Sequence, residues 1–215
     1  MSHSSHTSHS GVPPVKFCLD PGHGGRDSGE VSVTGLRECD VNLDLVHRTA
    51  AILHSLGQQV SFTRTADSSL TPAQRLAGAN ASGADVLLSI HCNSADNPLA
   101  RGFEVWTTRG DTDADPVATA IYAELACLLH GLPGRSDTED GDPDKEAPKG
   151  KKGFYILRET TMPAILAESL FLSNPDDELA LRDPGILTRL AEAYAWGLVA
   201  GSRHCKLQTA NCKLP

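Results

Sequence analysis

The chain of 215 residues has no stretch near the roughly 20 consecutive apolar residues needed to span a bilayer, so it contains no transmembrane segment. It also lacks a basic excess. Its 19 Lys and Arg stand against 27 Asp and Glu, for a formal net charge of -8. Phosphate backbones need a cationic face, which argues against nucleic acid as the partner. The same deficit argues against simple electrostatic attraction to an anionic membrane or cell wall. Six cysteines are present, but none fall in a CxxC pair, so a structural zinc knuckle is not indicated. Internal repeats are missing. Residues 1–13 hold Ser, His and Thr with no basic n-region and no apolar h-region, so no signal peptide is seen. His3, His6 and His9 recur at every third residue, and this segment is expected to be a disordered tail outside the fold.

With 40% hydrophobic residues and 21% charged, the remainder suits one α/β domain with a sizeable core. The pattern alternates strand and helix. Val15–Leu19 reads as a first strand, followed by a helix from Asp40 to Leu56 that Gly57 stops. Gln59–Thr63 reads as a strand. Thr71-Pro72-Ala73-Gln74 opens a helix with a capping box and a first-turn proline. Ala84–Ile90 is the most apolar strand and is expected at the sheet centre. Gly102–Thr107, Phe154–Leu157 and Ala164–Glu168 read as further strands. Helices are expected from Asp115 to about His130 and from Asp183 to about Gly201. The expected fold is therefore a single α/β domain over residues 14–202, a mostly parallel twisted sheet with helices on both faces, and a short C-terminal tail at 203–215. Residues 133–152 form one long irregular stretch that either contacts substrate or is disordered. Cys18 and Cys127 lie in apolar patterns and are expected to be buried. Cys205 and Cys212 are either a disulfide or two free thiols.

Candidate chemistry gathers at strand and loop ends. His23 sits in Leu19-Asp20-Pro21-Gly22-His23-Gly24-Gly25, right after the first strand, where open α/β sheets bind ligands. Glycines on both sides let that backbone turn sharply. Glu38 precedes the first long helix, His91 follows the central strand, and Glu168 ends a late strand. Two histidines and a carboxylate are a known ligand set for catalytic zinc, and a further carboxylate beside the water can move its proton. Each group also has a plainer reading. His91 could be a hydrogen-bonded loop residue, Glu38 a charge at a helix N-terminus, and Glu168 a partner for Arg158 or Arg182. Cys39 and Cys92 adjoin proposed ligands, but strand neighbours face opposite sides, so His91 and Cys92 are not expected to share a metal.

Taken together these blocks resemble zinc-dependent N-acetylmuramoyl-L-alanine amidases of the Amidase_3 type. The resemblance opens with Leu19–Gly25 and runs through Leu36-Arg37-Glu38-Cys39-Asp40-Val41-Asn42-Leu43, Thr63-Arg64, Arg75 with Ala79-Asn80, Ser89–Asn93 and Ala167–Pro175, in the family's order. It implies that His23, Glu38 and His91 bind one zinc ion and that Glu168 is the catalytic carboxylate. The implied reaction cleaves the amide between N-acetylmuramic acid and L-alanine of the stem peptide. Alternatives are a zinc peptidase acting within the stem and a non-catalytic peptidoglycan-binding module. Where the family usually has a small residue after these ligands, this chain has Cys39 and Cys92. Arg64 and Asn80 are expected to be scaffold residues, and Asn93 could orient a ligand. Some relatives carry an inserted helix that blocks the site; Thr108–Ala114 is too short and polar for one, so a monomer that needs no activator is expected. With no export signal seen, the chain is expected to be a bacteriolytic enzyme such as a phage or prophage endolysin, made in the cytoplasm and reaching the wall at lysis; the alternative is a bacterial amidase of sporulation or lysis, or one whose signal has been removed.

Overall fold

In the computed structural model, residues 14–108, 110–135, 145–146 and 154–211 are described, with side chains to residue 202 and the backbone alone at 145–146. The tail at 1–13 and the thiols of Cys205 and Cys212 fall outside what is described, as does most of 133–152.

Among the described residues the sheet has six strands: β1 (Lys16–Pro21), β2 (Gln59–Phe62), β3 (Val86–Asn93), β4 (Phe103–Thr107), β5 (Lys145–Glu146) and β6 (Ala164–Phe171), in the order β2-β1-β3-β6-β4-β5. The pairs β2–β1, β1–β3 and β3–β6 are parallel, and β4 is antiparallel to β6. The short β5 runs parallel to β4. The expected mostly parallel α/β sheet is thus present, with its reversal at the β6–β4 edge.

Pleating sorts the strand residues between two layers. Phe17, Leu19, Leu88, Ile90, Ile165 and Ala167 face the larger core with helices α1 (Glu38–Ser55), α3 (Asp115–Leu128) and α6 (Pro184–Asn211). Cys18, Leu87, Ala164 and Leu166 face a smaller layer with α2 (Pro72–Ala81) and α4 (Tyr155–Glu159). The capping box at Thr71 and Gln74 is present, with Pro72 opening α2. A further helix, α5 (Pro175–Leu181), escaped the sequence reading. Its start is signalled by Asn174, whose side chain accepts from the Asp176 and Asp177 amides at 3.1 Å each, ahead of Pro175 at the first turn.

Four expectations change. Phe154–Leu157 is not a strand; Phe154 caps the one-turn helix α4. A short apolar run fits either form, and here Leu157 and Ile156 cover the smaller layer instead of joining the sheet. β3 and β6 run past Ile90 and Glu168, so His91 and Glu168 lie within strands, paired in register. The sequence pattern ends each strand early because the pleat now turns polar groups into a cleft rather than a core. Cys127 is exposed, since it lies on the outer side of α3. Finally, α6 continues beyond Gly201 to Asn211.

The α3–α6 crossing depends on two glycines. A Cβ at Gly197 would stand 2.6 Å from the Ile121 Cα, and one at Gly201 would stand 2.4 Å from the Val117 Cα. Both obstacles are backbone, so the helices would have to separate. Gly197→Ala should therefore destabilise the fold by about 1–3 kcal/mol or more, although alanine is the better helix former. Urea denaturation midpoints read this directly.

Candidate metal centre

The first candidate ligand stands on a left-handed loop. After β1 the backbone takes φ 58° at His23, 129° at Gly24 and 62° at Gly25. Such angles are costly for a residue with a Cβ, so something must hold His23 in place. The loop is pinned by Gly22 N–H to the Ile90 carbonyl (2.9 Å) and by a reciprocal backbone pair between Gly24 and Asp27. Two arginines hold it from below. Arg75 donates to the Pro21 carbonyl (2.6 Å) and to that of His23. Arg64 donates to Pro21 (3.0 Å) and Gly22 (2.8 Å).

Glu38 is the first residue of α1, not the residue before it. The side chain of Arg37 does not cap this helix. Loop carbonyls do so instead: Glu30 accepts from the Glu38 amide (2.9 Å) and Ser28 from that of Cys39 (3.0 Å). These bonds satisfy two of the orphan donors at a helix start and fix the carboxylate's origin. Its oxygens then accept from the amides of Glu30 (3.0 Å) and Cys92 (3.1 Å) and from the Asn42 side chain (3.3 Å).

The two imidazoles close on that carboxylate. His23 Nε2 lies 3.2 Å from Glu38 Oε2, and His91 Nδ1 lies 3.0 Å from Glu38 Oε1. One ligand atom from each of the three residues falls within 4.8 Å of the others. Asp27 holds the other nitrogen of His23 at 2.9 Å, as outer partners of metal-bound histidines do. Cys92 is turned away into the larger core, its thiol pushed well up by burial. His91 and Cys92 thus part to opposite sides, as their positions on a strand require. Asn93 does not reach the ligands; its side chain accepts from the Ser94 amide at 2.8 Å.

The electrostatics favour positive charge between the ligands. Hydrogen bonding to Glu38 raises His23 to about 9, against the opposing effect of burial. Burial alone would raise Glu38, but its bonds to His23 and His91 outweigh that and hold it well below the usual carboxylate range. A divalent cation in contact with all three groups would take the place of those shared protons.

Glu168 sits beside His91 across the β3–β6 pairing, with Glu104 opposite it on β4. Burial lifts its carboxyl to about 7, with His91 opposing and the negative charges of Glu38 and Glu104 adding. Its Oε2 is buried without a hydrogen-bond partner. Neither alternative partner engages it: Arg182 pairs with Glu178 (2.9 Å), and Arg158 pairs with Glu159 (2.7 Å). Glu104 is held by Arg135 (2.8 Å) and by the Trp106 indole (3.1 Å).

These groups border a cleft of about 220 Å³, lined also by Pro72 of α2 and by Phe154, Tyr155 and Ile156. The α4 wall was missed from sequence because the run reads as a strand. Asp27 and Asn42 were missed as well, although Asn42 stands four residues after Glu38, one helical turn away on the same face. Asn80 lies away from these groups and accepts from the Thr161 amide at 3.0 Å.

Beneath the cleft, Asp20 is buried against Arg75 (2.9 Å) and Ser89 (2.7 Å) and also accepts from Thr63. Burial alone would raise its carboxyl, but Arg75, Thr63 and Ser89 bring it below the usual value. Its folded pKa is depressed, so its contribution is present above the unfolded value of about 3.9 and is lost as pH falls through the lower folded value. Asp20→Asn leaves Arg75 with a poorer partner in a buried setting, and a loss of about 3–5 kcal/mol is expected near neutral pH. The deficit relative to the parent should shrink on acidification; urea titrations at pH 7 and pH 3 would show whether it does.

An open α/β sheet with two histidines and two carboxylates gathered at one edge defines a single-domain protein with a cluster in its cleft that could hold a metal ion. The chain belongs to the Amidase_3 family, described as N-acetylmuramoyl-L-alanine amidase, which it matches over residues 17–200. It is 32% identical to the endolysin of Bacillus phage SPP1 over 84% of this chain and 63% of that protein. To the N-acetylmuramoyl-L-alanine amidase CwlM of Bacillus licheniformis it is 33% identical, over 86% of this chain and 67% of that one. The chain thus spans about half to two thirds of these and similar curated relatives. Among solved structures it resembles the amidase AmiC2 of Nostoc punctiforme, with a TM-score of 0.78 and 31% identity over 90% of this chain and 99% of that one. Among the described residues, no helix is long and apolar enough to cross a membrane.

Proposed function

We propose that the protein is a zinc-dependent peptidoglycan hydrolase that cleaves the amide between N-acetylmuramic acid and the L-alanine of the stem peptide, acting on the cell wall. The observation that carries this reading is the convergence of His23, Glu38 and His91 on one point, with the unpartnered Glu168 oxygen beside it. The donor set fits zinc: two imidazoles and one carboxylate leave an open position, and the outer bonds from Asp27 and Asn42 hold the ligands in place. A zinc ion held by these three residues would supply Lewis-acid polarisation of the scissile carbonyl and lower the pKa of a water.

The chain's own groups do the rest. Glu168, with a carboxyl lifted to about 7, accepts a proton from the attacking water and returns it to the departing alanine nitrogen. Pro72 and the α4 wall bound the space that the substrate occupies beside it. We assign catalysis to the unit spanning residues 14–202, acting as a monomer without an activator. What supports independence from an activator is that the described end of the connection from β4 to α3 folds back on that helix: the Thr112 side chain donates to Asp115 (2.8 Å) and Ala114 is buried in the core.

Digestion of purified muropeptides by the zinc-loaded protein, read by mass spectrometry, should release intact stem peptides with a new N-terminal L-alanine. Cleavage between two amino acids would instead make it a stem peptidase. Glycan fragments alone, or no product, would overturn the assignment.

A further inference from the structure

We propose that Arg64 is a positioning residue that ties the His23 loop to the helix carrying Glu38, and so sets the metal affinity of the site. This rests on the metal reading above.

Arg64 follows β2 and is only 4% exposed. All its hydrogen bonds go to backbone carbonyls: Pro21 (3.0 Å), Gly22 (2.8 Å), Cys39 (3.1 Å) and Ala66 (3.1 Å). Among the described residues, none goes to a carboxylate. Burying a cation on neutral acceptors alone is costly, and stability by itself gives no reason for a charge here. The geometry does. Pro21 and Gly22 lead into His23, whose left-handed backbone needs external support. Cys39 lies in the first turn of α1, one residue after Glu38. A single planar group therefore spans the two segments that carry two of the three ligands. The Gly22 carbonyl is the junction, since it also faces the Asn42 amide (3.4 Å), which in turn donates to Glu38. A rigid fork of donors is required for this; a lysine ammonium keeps the charge but cannot span the same set of acceptors.

Arg64→Lys is thus the informative variant. Its zinc affinity, measured by competition with a chromogenic chelator, should fall about 10–100-fold, the range for loss of an outer partner. In the metal-free protein, hydrogen exchange at the Gly22 and Gly24 amides should speed up. Asn80→Ala, which removes a scaffold bond to Thr161 away from the ligands, should lower stability and leave both readouts unchanged. Should the lysine variant not fold, Arg64→Gln takes its place with the same measurements. Unchanged zinc affinity and unchanged loop exchange in the folded variant would overturn the proposal. If the parent itself takes up no zinc, the metal reading fails, and the exchange rates alone decide whether Arg64 holds the loop.

Discussion

Glu168→Ala is expected to take up zinc like the parent and to lose about 10²–10⁴-fold in turnover, the usual worth of a positioned proton carrier. The expectation follows from where the carboxylate is and what it lacks. It lies in register with His91, its Oε2 has no hydrogen-bond partner, and among the described residues no lysine or arginine forms an ion pair with it. A structural glutamate in such a place would have found a salt bridge. Glu168→Gln provides the control for shape, because it preserves the volume and removes the basic oxygen; it should lose nearly as much. Metal content by elemental analysis, alongside steady-state kinetics on muropeptides, separates the two quantities. Near-normal turnover in either variant would overturn the proton-transfer role. Loss of metal together with activity would instead make Glu168 a fourth ligand.

The second large effect is expected from a residue with no side chain. A Cβ on Gly22 would fall 2.2 to 2.5 Å from three atoms of the His91 ring. The Gly22 backbone cannot yield, because its amide is bonded to Ile90 and its carbonyl to Arg64. The imidazole must therefore rotate, which takes it off Glu38 and out of the ligand set. Gly22→Ala should behave as the loss of a ligand: zinc affinity down by at least about 100-fold, at or beyond the upper end of outer-partner effects. Global stability should change less, since the displaced ring sits at the edge of an open cleft. Gly78→Ala on α2, where an added Cβ meets nothing within 4 Å, should leave zinc affinity unchanged and stability equal or slightly improved. Equal zinc affinity in Gly22→Ala and the parent would mean that His91 does not bind metal in its present rotamer.

These two residues were unequally visible before the fold was known. Glu168 stood out as a carboxylate at the end of an apolar run, and the resemblance gave it a role. The severity of Gly22 could not be read, because it comes from His91, which lies on another strand. The same holds for the outer bonds. Asp27 and Asn42 lie near their ligands in sequence, yet nothing local says which polar neighbour will turn inward. Arg64 matched the family pattern, but its four carbonyl partners are spread from Pro21 to Ala66. The α4 wall was misread for a different reason: four apolar residues carry no period long enough to separate strand from helix.

From the sequence alone came the alternation of strands and helices, the capped start of α2, the apolar central strand and the four residues with the right chemistry. Those features are local or periodic, and local preference is written directly in the order of residues. Tertiary structure decided the rest. It placed one donor atom each of His23, Glu38 and His91 within 4.8 Å of the others, left one oxygen of Glu168 unpartnered and raised its carboxyl to about 7. Distance, burial and field depend on which strands become neighbours, and only the packed sheet determines that.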